Sequence, residues 1–316
     1  MPSTNTFGFE AEFSTPANLI VPALFEMGHL GDIDLHNYTC DCEFCSVSVY
    51  TGDGNVSYNS PDIWPLRAKH DSSCGGEIIS KVFTDINDAV PYFTDLEAAA
   101  IQTDTEPGLE AGFHVHVGRN HLSKAARGKL VVAMTLWENA LFDVAAGRWP
   151  HNRGWNMSLT SLMQYCFMDE LEMAGMHEII LVPKNLHKLA TDIRNTTTGN
   201  LVFRRIADAH MEVDRHSSMA FSPRWPTMEF RLWNSTRAAW RMELWCRLSL
   251  LFADIDFIDT LLDEWTPDLS MSHFFATVCG SNADDRLKEL LERQVRYVEK
   301  LRTDGITQFN MPSFAL

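Results

Sequence analysis

Phe7-Gly8-Phe9-Glu10-Ala11-Glu12-Phe13 is the stretch whose reading decides the fold class. Residues two apart on a β-strand face the same way, so Phe7, Phe9, Ala11 and Phe13 make one face. Gly8, Glu10 and Glu12 make the other. An apolar face backed by an acidic one predicts an antiparallel strand with one side on a core and the other toward solvent or ligand. The same design recurs twice. Gly112–Gly118 (Gly-Phe-His-Val-His-Val-Gly) carries His114 and His116 at spacing two, and Thr227–Trp233 sets Met228, Phe230 and Leu232 against Glu229, Arg231 and Trp233. The apolar partners in each segment bury one face and pin the register.

Around these segments, Glu77–Val82 reads as a short strand. Helices are predicted over Pro16–Met27, with Thr15 as cap, over Asn87–Gln102, and over Leu122–Ala146, a long amphipathic helix with Ser123 near its start. Thr236–Leu262 reads as one long, largely buried helix and Asp284–Arg302 as a polar, surface one. Residues 31–70 are rich in Asp, Asn, Gly and Pro and read as loop. Strands with acidic faces backed by helices predict an α+β protein rather than a βαβ array. The expected organisation is a single catalytic domain over 1–316, with a loop-rich, cysteine-containing insertion at about 31–70 and a helical C-terminal part at about 236–316.

The 316 residues, 45% hydrophobic and 22% charged, suffice for a sizeable core. A net charge of −16 and a pI near 5.1 argue against a nucleic-acid partner or an anionic membrane surface. The N-terminus lacks a secretory pattern, and no apolar run approaches the roughly 20 residues of a membrane span. The seven cysteines are odd in number and clustered, which suits cytosolic thiols or a metal cluster better than a disulfide framework. The cytoplasm is the expected location.

Paired carboxylates and an imidazole on one strand face suit hard divalent cations, magnesium or manganese, usually with phosphate in the coordination shell. An arginine two residues from a metal-binding glutamate is placed to grip a phosphoryl group. Together they describe phosphoryl transfer, where charge neutralisation does most of the catalytic work.

Four motifs in order complete the pattern: Gly8–Glu12 (Gly-x-Glu-x-Glu), Asp71–Ser80 (Asp-Ser-Ser, then Gly-Gly-Glu-Ile-Ile-Ser), Gly112–Gly118 and Thr227–Arg231 (Thr-x-Glu-Phe-Arg). In this order they resemble the amidoligase family, of the carboxylate–amine ligase superfamily that includes glutamine synthetase and glutamate–cysteine ligase. The resemblance covers about the first three quarters of the chain and implies a glutamine-synthetase-like fold. There a curved antiparallel sheet, backed by helices, holds metal and ATP on its concave face. It implies Glu10, Glu12, Glu77, His114 and Glu229 as metal ligands, His116 near the nucleotide or substrate, and Arg231 on the γ-phosphate. Asp71 would help hold the substrate or cap a turn. Arg153 and Arg215 would contact phosphate or carboxylate, or lie on the surface. The implied cofactors are ATP and magnesium or manganese. The implied reaction joins a carboxylate to an amine (an amino acid, peptide or polyamine, free or protein-attached) through an acyl phosphate. Lys81 departs from the family, which usually has proline there.

Trp149, Trp155, Trp225 and Trp233 lie near the motifs and either wall a dry pocket or belong to the core. Cys40, Cys42, Cys45 and Cys74 offer four soft ligands for a structural zinc, or are free thiols. Competing readings are a zinc hydrolase built on His114 and His116, a phosphotransferase without a ligation step, and a non-catalytic nucleotide-binding scaffold on the same fold.

Overall fold

The computed structural model describes residues 5–14, 17–29, 34–36, 48–50, 66–69, 76–107, 111–145, 183–212, 218–222 and 225–305. The chain is mixed α and β, and its described strand pairs are antiparallel. It divides into two compact units: Thr6–Val115 with Trp233–Cys246, and His116–Leu232 with Arg247–Gln308.

In the first unit the strands β1 (Phe7–Phe13), β4 (Leu66–Lys69), β5 (Gly76–Ser80) and β6 (Gly112–Gly118, up to Val115 in this unit) run in the order β4-β5-β1-β6. The short strands β2 (Asp34–His36) and β3 (Ser48–Tyr50) pair separately. Three strands therefore lie within the segment read as loop. At three or four residues each they are too short to show a period. The apolar face of β1 behaves as its alternation predicts. Phe9 stacks on Phe113 of β6 with centroids 5.5 Å apart, and lies 5.1 Å from Phe93 of helix α2 (Ile86–Gln102). Phe7 bridges Phe83, and α1 (Ala17–Glu26) packs beside α2. Asp85 caps α2, its carboxylate accepting from the Asn87 N–H at 2.9 Å.

The second unit is organised about α3 (Lys124–Val144), capped by Ser123. The sequence predicts an amphipathic helix here, whereas α3 is buried on nearly every side. Helices α4 (Pro183–Ile193), α5 (Thr197–Glu212), α7 (Ile255–Asp263), α8 (Met271–Gly280) and α9 (Asp285–Thr303) all pack on it or on one another. Polar atoms from those neighbours are satisfied by it. Trp265 Nε1 donates to Leu136 O at 3.0 Å, and Gln294 Nε2 to Val144 O at 2.6 Å. In return Trp137 Nε1 donates to Leu261 O at 2.7 Å. This explains a second difference: α9 is not simply a surface helix, because Leu287, Leu290, Leu291, Gln294, Val295, Val298 and Leu301 line a buried face. The single helix predicted over 236–262 is two, α6 (Ala239–Phe252) and α7. The break falls where the Asp254 carboxylate captures the Asp256 N–H at 2.8 Å and starts a new helix. Strands β7 (Met219–Phe221) and β8 (Thr227–Asn234) form a hairpin, with Ala220 opposite Glu229.

His210, on α5, is buried against this hairpin, bonding Met219 O at 2.9 Å through Nε2. Desolvation pushes its pKa down to about 4. The unfolded chain binds this proton below about pH 6.5, while the native state refuses it until about 4. The stabilisation is thus complete above pH 6.5 and is lost as pH falls toward 4, by about 3 kcal/mol in all. Urea melts of wild type and His210→Gln across that range should show the variant's pH slope shallower by one proton. Equal slopes would remove His210 from the acid response.

Candidate metal and phosphate site

In the first unit β1 turns Glu10 and Glu12 away from the phenylalanine face, as their spacing requires. The antiparallel register sets Glu12 opposite Glu77 of β5. From β6, His114 points its Nδ1 toward both β1 carboxylates, 3.4 Å from Glu10 Oε2 and 3.6 Å from Glu12 Oε1. The Gly112 N–H donates to Glu12 Oε2 at 2.6 Å. The Ser235 hydroxyl donates to the Glu12 carbonyl, and the Ser235 N–H reaches Ala111 O at 3.3 Å, which ties the cluster's backbone together.

These groups are not on an open polar face. Glu12 is 6% exposed, Glu77 2% and His114 4%, with Glu10 more open. Withdrawing carboxylates from water is costly, and like charges directly opposite on paired strands repel. Two carboxylates at one imidazole, with a third residue, Glu77, opposite Glu12 on the neighbouring strand, are an oxygen-rich donor set of the kind that divalent cations complete. Gly112 is part of the design. A Cβ there would sit 2.6 Å from His114 Nε2 and 3.2 Å from Glu12 Oε2, so only glycine leaves both tips in place. If the cluster holds Mg²⁺, Gly112→Ala should displace them and weaken that binding by about tenfold or more while the chain still folds. Titration calorimetry with Mg²⁺ checks this, and unchanged affinity would separate Gly112 from the cluster.

In the second unit, His116 follows two residues after His114 on the same strand. Ligand atoms of His116 and Glu229 lie within 4.8 Å of each other. Glu229 is buried and takes a hydrogen bond from Arg231 Nη1, so the tips of the two predicted β8 residues meet. Backbone and side chain both brace this strand. The Arg231 N–H donates to Ser218 O at 2.8 Å, and the Ser218 hydroxyl to Glu138 Oε1 at 3.2 Å. Glu138, buried in the middle of α3, escaped the sequence reading. Its only signal was a lone carboxylate between Trp137 and the apolar run after Asn139.

Two of the four tryptophans are described. Trp233 is fully buried and stacks on Trp245 at 4.7 Å with rings nearly parallel, so it is core. Trp225 is 61% exposed, which removes it from any dry wall. Lys81 holds its ammonium 5.4 Å from the Phe83 ring centroid and 5.7 Å from that of Tyr92. Asp71, Arg153, Arg215, Trp149, Trp155 and the cysteines Cys40, Cys42, Cys45 and Cys74 lie outside the described residues. Among the described residues no helix is long and apolar enough to cross a membrane.

No family model and no curated protein matches the sequence. Among solved structures the chain is similar to a bifunctional glutathione synthetase from Pasteurella multocida, with a TM-score of 0.39 and 9% identity. The match covers 99% of this chain and 51% of that one, so the chain spans about half the synthetase's length. At that level the likeness carries no argument about fold or activity.

Proposed function

We propose that the chain is a magnesium- and ATP-dependent carboxylate–amine ligase of the amidoligase kind, on a glutamine-synthetase-like fold. The observation that carries the reading is the approach of His114 to Glu10 and Glu12, with buried Glu77 opposite Glu12 and Gly112 left bare beside them. Oxygen donors in that proportion favour magnesium or manganese over zinc, which weighs against the hydrolase alternative.

In this reading Glu10, Glu12, Glu77, His114 and Glu229 hold divalent cations, and the cations neutralise phosphate charge when bound. Arg231 offers its guanidinium to the γ-phosphoryl group, and Glu229 fixes the direction of that guanidinium. His116 contacts nucleotide or substrate, with Asp71, Arg153 and Arg215 as further contacts. A substrate carboxylate attacks the γ-phosphorus, ADP leaves, and an amine then displaces phosphate from the acyl phosphate to form an amide or isopeptide bond. The described groups supply charge and position, the two factors on which phosphoryl transfer chiefly depends.

The activity is tested by incubating the protein with ATP, Mg²⁺ and pooled carboxylates and amines, with mass spectrometry for a condensation product. Mg²⁺-dependent ATP turnover that rises only when both substrate classes are present supports the ligase. Hydrolysis that ignores nucleotide, or nucleotide binding without turnover, overturns it. The metal cluster is tested separately. Glu77→Gln removes the charge of one proposed ligand while keeping the side chain's shape. The variant's melting temperature should no longer rise with Mg²⁺, whereas the wild type's should, by the mass-action gain of a ligand that binds only the native state. Parallel responses of the two proteins to Mg²⁺ would exclude Glu77 as a ligand.

A further inference from the structure

We propose that Ser235 sets which divalent cation the acidic cluster prefers, by holding Glu12 so that it offers a cation one oxygen rather than two. The proposal rests on the metal site of the ligase reading and gives a positioning role to a residue outside its ligand set. Ser235 directly follows β8, is 2% exposed, and holds two points of the site's backbone. Its hydroxyl donates to the Glu12 carbonyl, and its N–H to Ala111 O at 3.3 Å. Ala111 directly precedes Gly112, whose N–H donates to Glu12 Oε2 at 2.6 Å. Ser235 thus grips both ends of that bond: the residue that carries the carboxylate, and the residue before the N–H. It is anchored in turn by its neighbour. Thr236, 1% exposed, accepts from the Ala238 N–H at 3.1 Å just before α6 begins.

The two carboxylate oxygens of Glu12 are therefore unlike. Oε2 is committed to the Gly112 N–H, while Oε1 lies 3.6 Å from His114 Nδ1, the same atom that meets Glu10. A hydrogen bond to a charged acceptor is strong, and at 6% exposure little water competes for Oε2. A carboxylate held in this way gives a cation one oxygen. Magnesium demands a small, near-octahedral shell, which suits a rigid single-oxygen ligand. Calcium takes more ligands at longer range and accepts a carboxylate through one oxygen or both. Releasing Oε2 therefore costs magnesium and spares calcium. A side chain at Gly112 cannot make this test, because its Cβ would press on His114 Nε2 at 2.6 Å. Ser235 is the place where the bond can be loosened without touching a ligand.

Metal-free protein is titrated calorimetrically with Mg²⁺ and, separately, with Ca²⁺, and the ratio of the two affinities is compared between variants. In Ser235→Ala the Mg²⁺ affinity should fall by about tenfold or more, while the Ca²⁺ affinity holds within about threefold. Ser235→Cys keeps the side chain's size with a weaker donor. Its ratio should fall between those of wild type and Ser235→Ala, and it carries the test where the alanine variant does not fold. Thr105→Val is the control for a merely structural loss. Thr105 is fully buried in the same unit, and its hydroxyl shares a 2.7 Å bond with that of Thr103 rather than with a proposed ligand. Its ratio should equal the wild type's. An unchanged ratio in both Ser235 variants, or an equal fall in Thr105→Val, overturns the proposal and leaves the metal site standing. Absence of Mg²⁺ binding by wild type overturns the metal site itself, and the proposal with it.

Discussion

On the proposed ligase reading, Arg231→Ala is expected to lower kcat/KM for Mg²⁺-ATP turnover by about 10³-fold or more, a loss near 4 kcal/mol of transition-state stabilisation. A guanidinium aimed at a transferring phosphoryl group is worth the most when its charge meets charge that develops only in the transition state. In this chain the residue has a second effect. Arg231 pairs with Glu229, which is buried, so the alanine variant also takes a cationic partner from a buried carboxylate. Breaking such a pair from one side costs stability, typically several kcal/mol. The two effects separate in a double variant. Arg231→Ala with Glu229→Gln should regain most of the stability lost by Arg231→Ala alone, and none of the activity. Chemical denaturation and steady-state kinetics on the same preparations check both. Recovery of activity with stability would reduce the pair to a structural bridge, and wild-type turnover in Arg231→Ala would remove the residue from the mechanism.

The largest expected effect on folding is at Gly128. This glycine lies in α3, where the backbone of α5 comes so close that a Cβ would stand 1.8 Å from the carbonyl oxygen of Phe203 and 2.6 Å from its carbon. The obstacle is backbone, held in turn by α5's own hydrogen bonds, so no side-chain rotation relieves it. Glycine is ordinarily a poor helix residue, and Ala in its place would ordinarily stabilise by about 1 kcal/mol. Here the sign reverses. Gly128→Ala must push the helices apart, open voids along a buried interface and weaken the contacts of Phe203, itself almost fully buried. The expected loss is about 3 kcal/mol or more, beyond the usual range for adding a methyl group to a packed core. Thermal melts of Gly128→Ala against Gly280→Ala, whose Cβ meets nothing within 4 Å, provide the check. Equal melting temperatures would mean that α5 yields freely.

The strand faces that carry the site's groups were legible because strand periodicity is local. A period of two assigns each side chain to a face within a single heptapeptide, so Glu10, Glu12, His114, Glu229 and Arg231 could be picked out without knowing what they would meet. Helix starts were legible for the same reason. Asp85, Ser123 and Asp284 cap their own helices through atoms two or three residues away. The residues that went unread, Glu138 and Ser218, matter through each other, 80 positions apart, and no window of sequence contains both.

The residues alone therefore determined which faces of β1, β6 and β8 are apolar and which carry acid, imidazole and guanidinium. Only the tertiary structure decided that Glu12 stands opposite Glu77, that His114 points at both β1 carboxylates, and that these groups are buried rather than solvated. It also decided that α3 is enclosed and that the α5 backbone approaches it closely at Gly128. The physical reason is one of range. Face assignment follows from the covalent geometry of neighbouring residues, whereas partner, register and burial follow from long-range packing, whose free energy belongs to the whole core and leaves no mark on any short stretch.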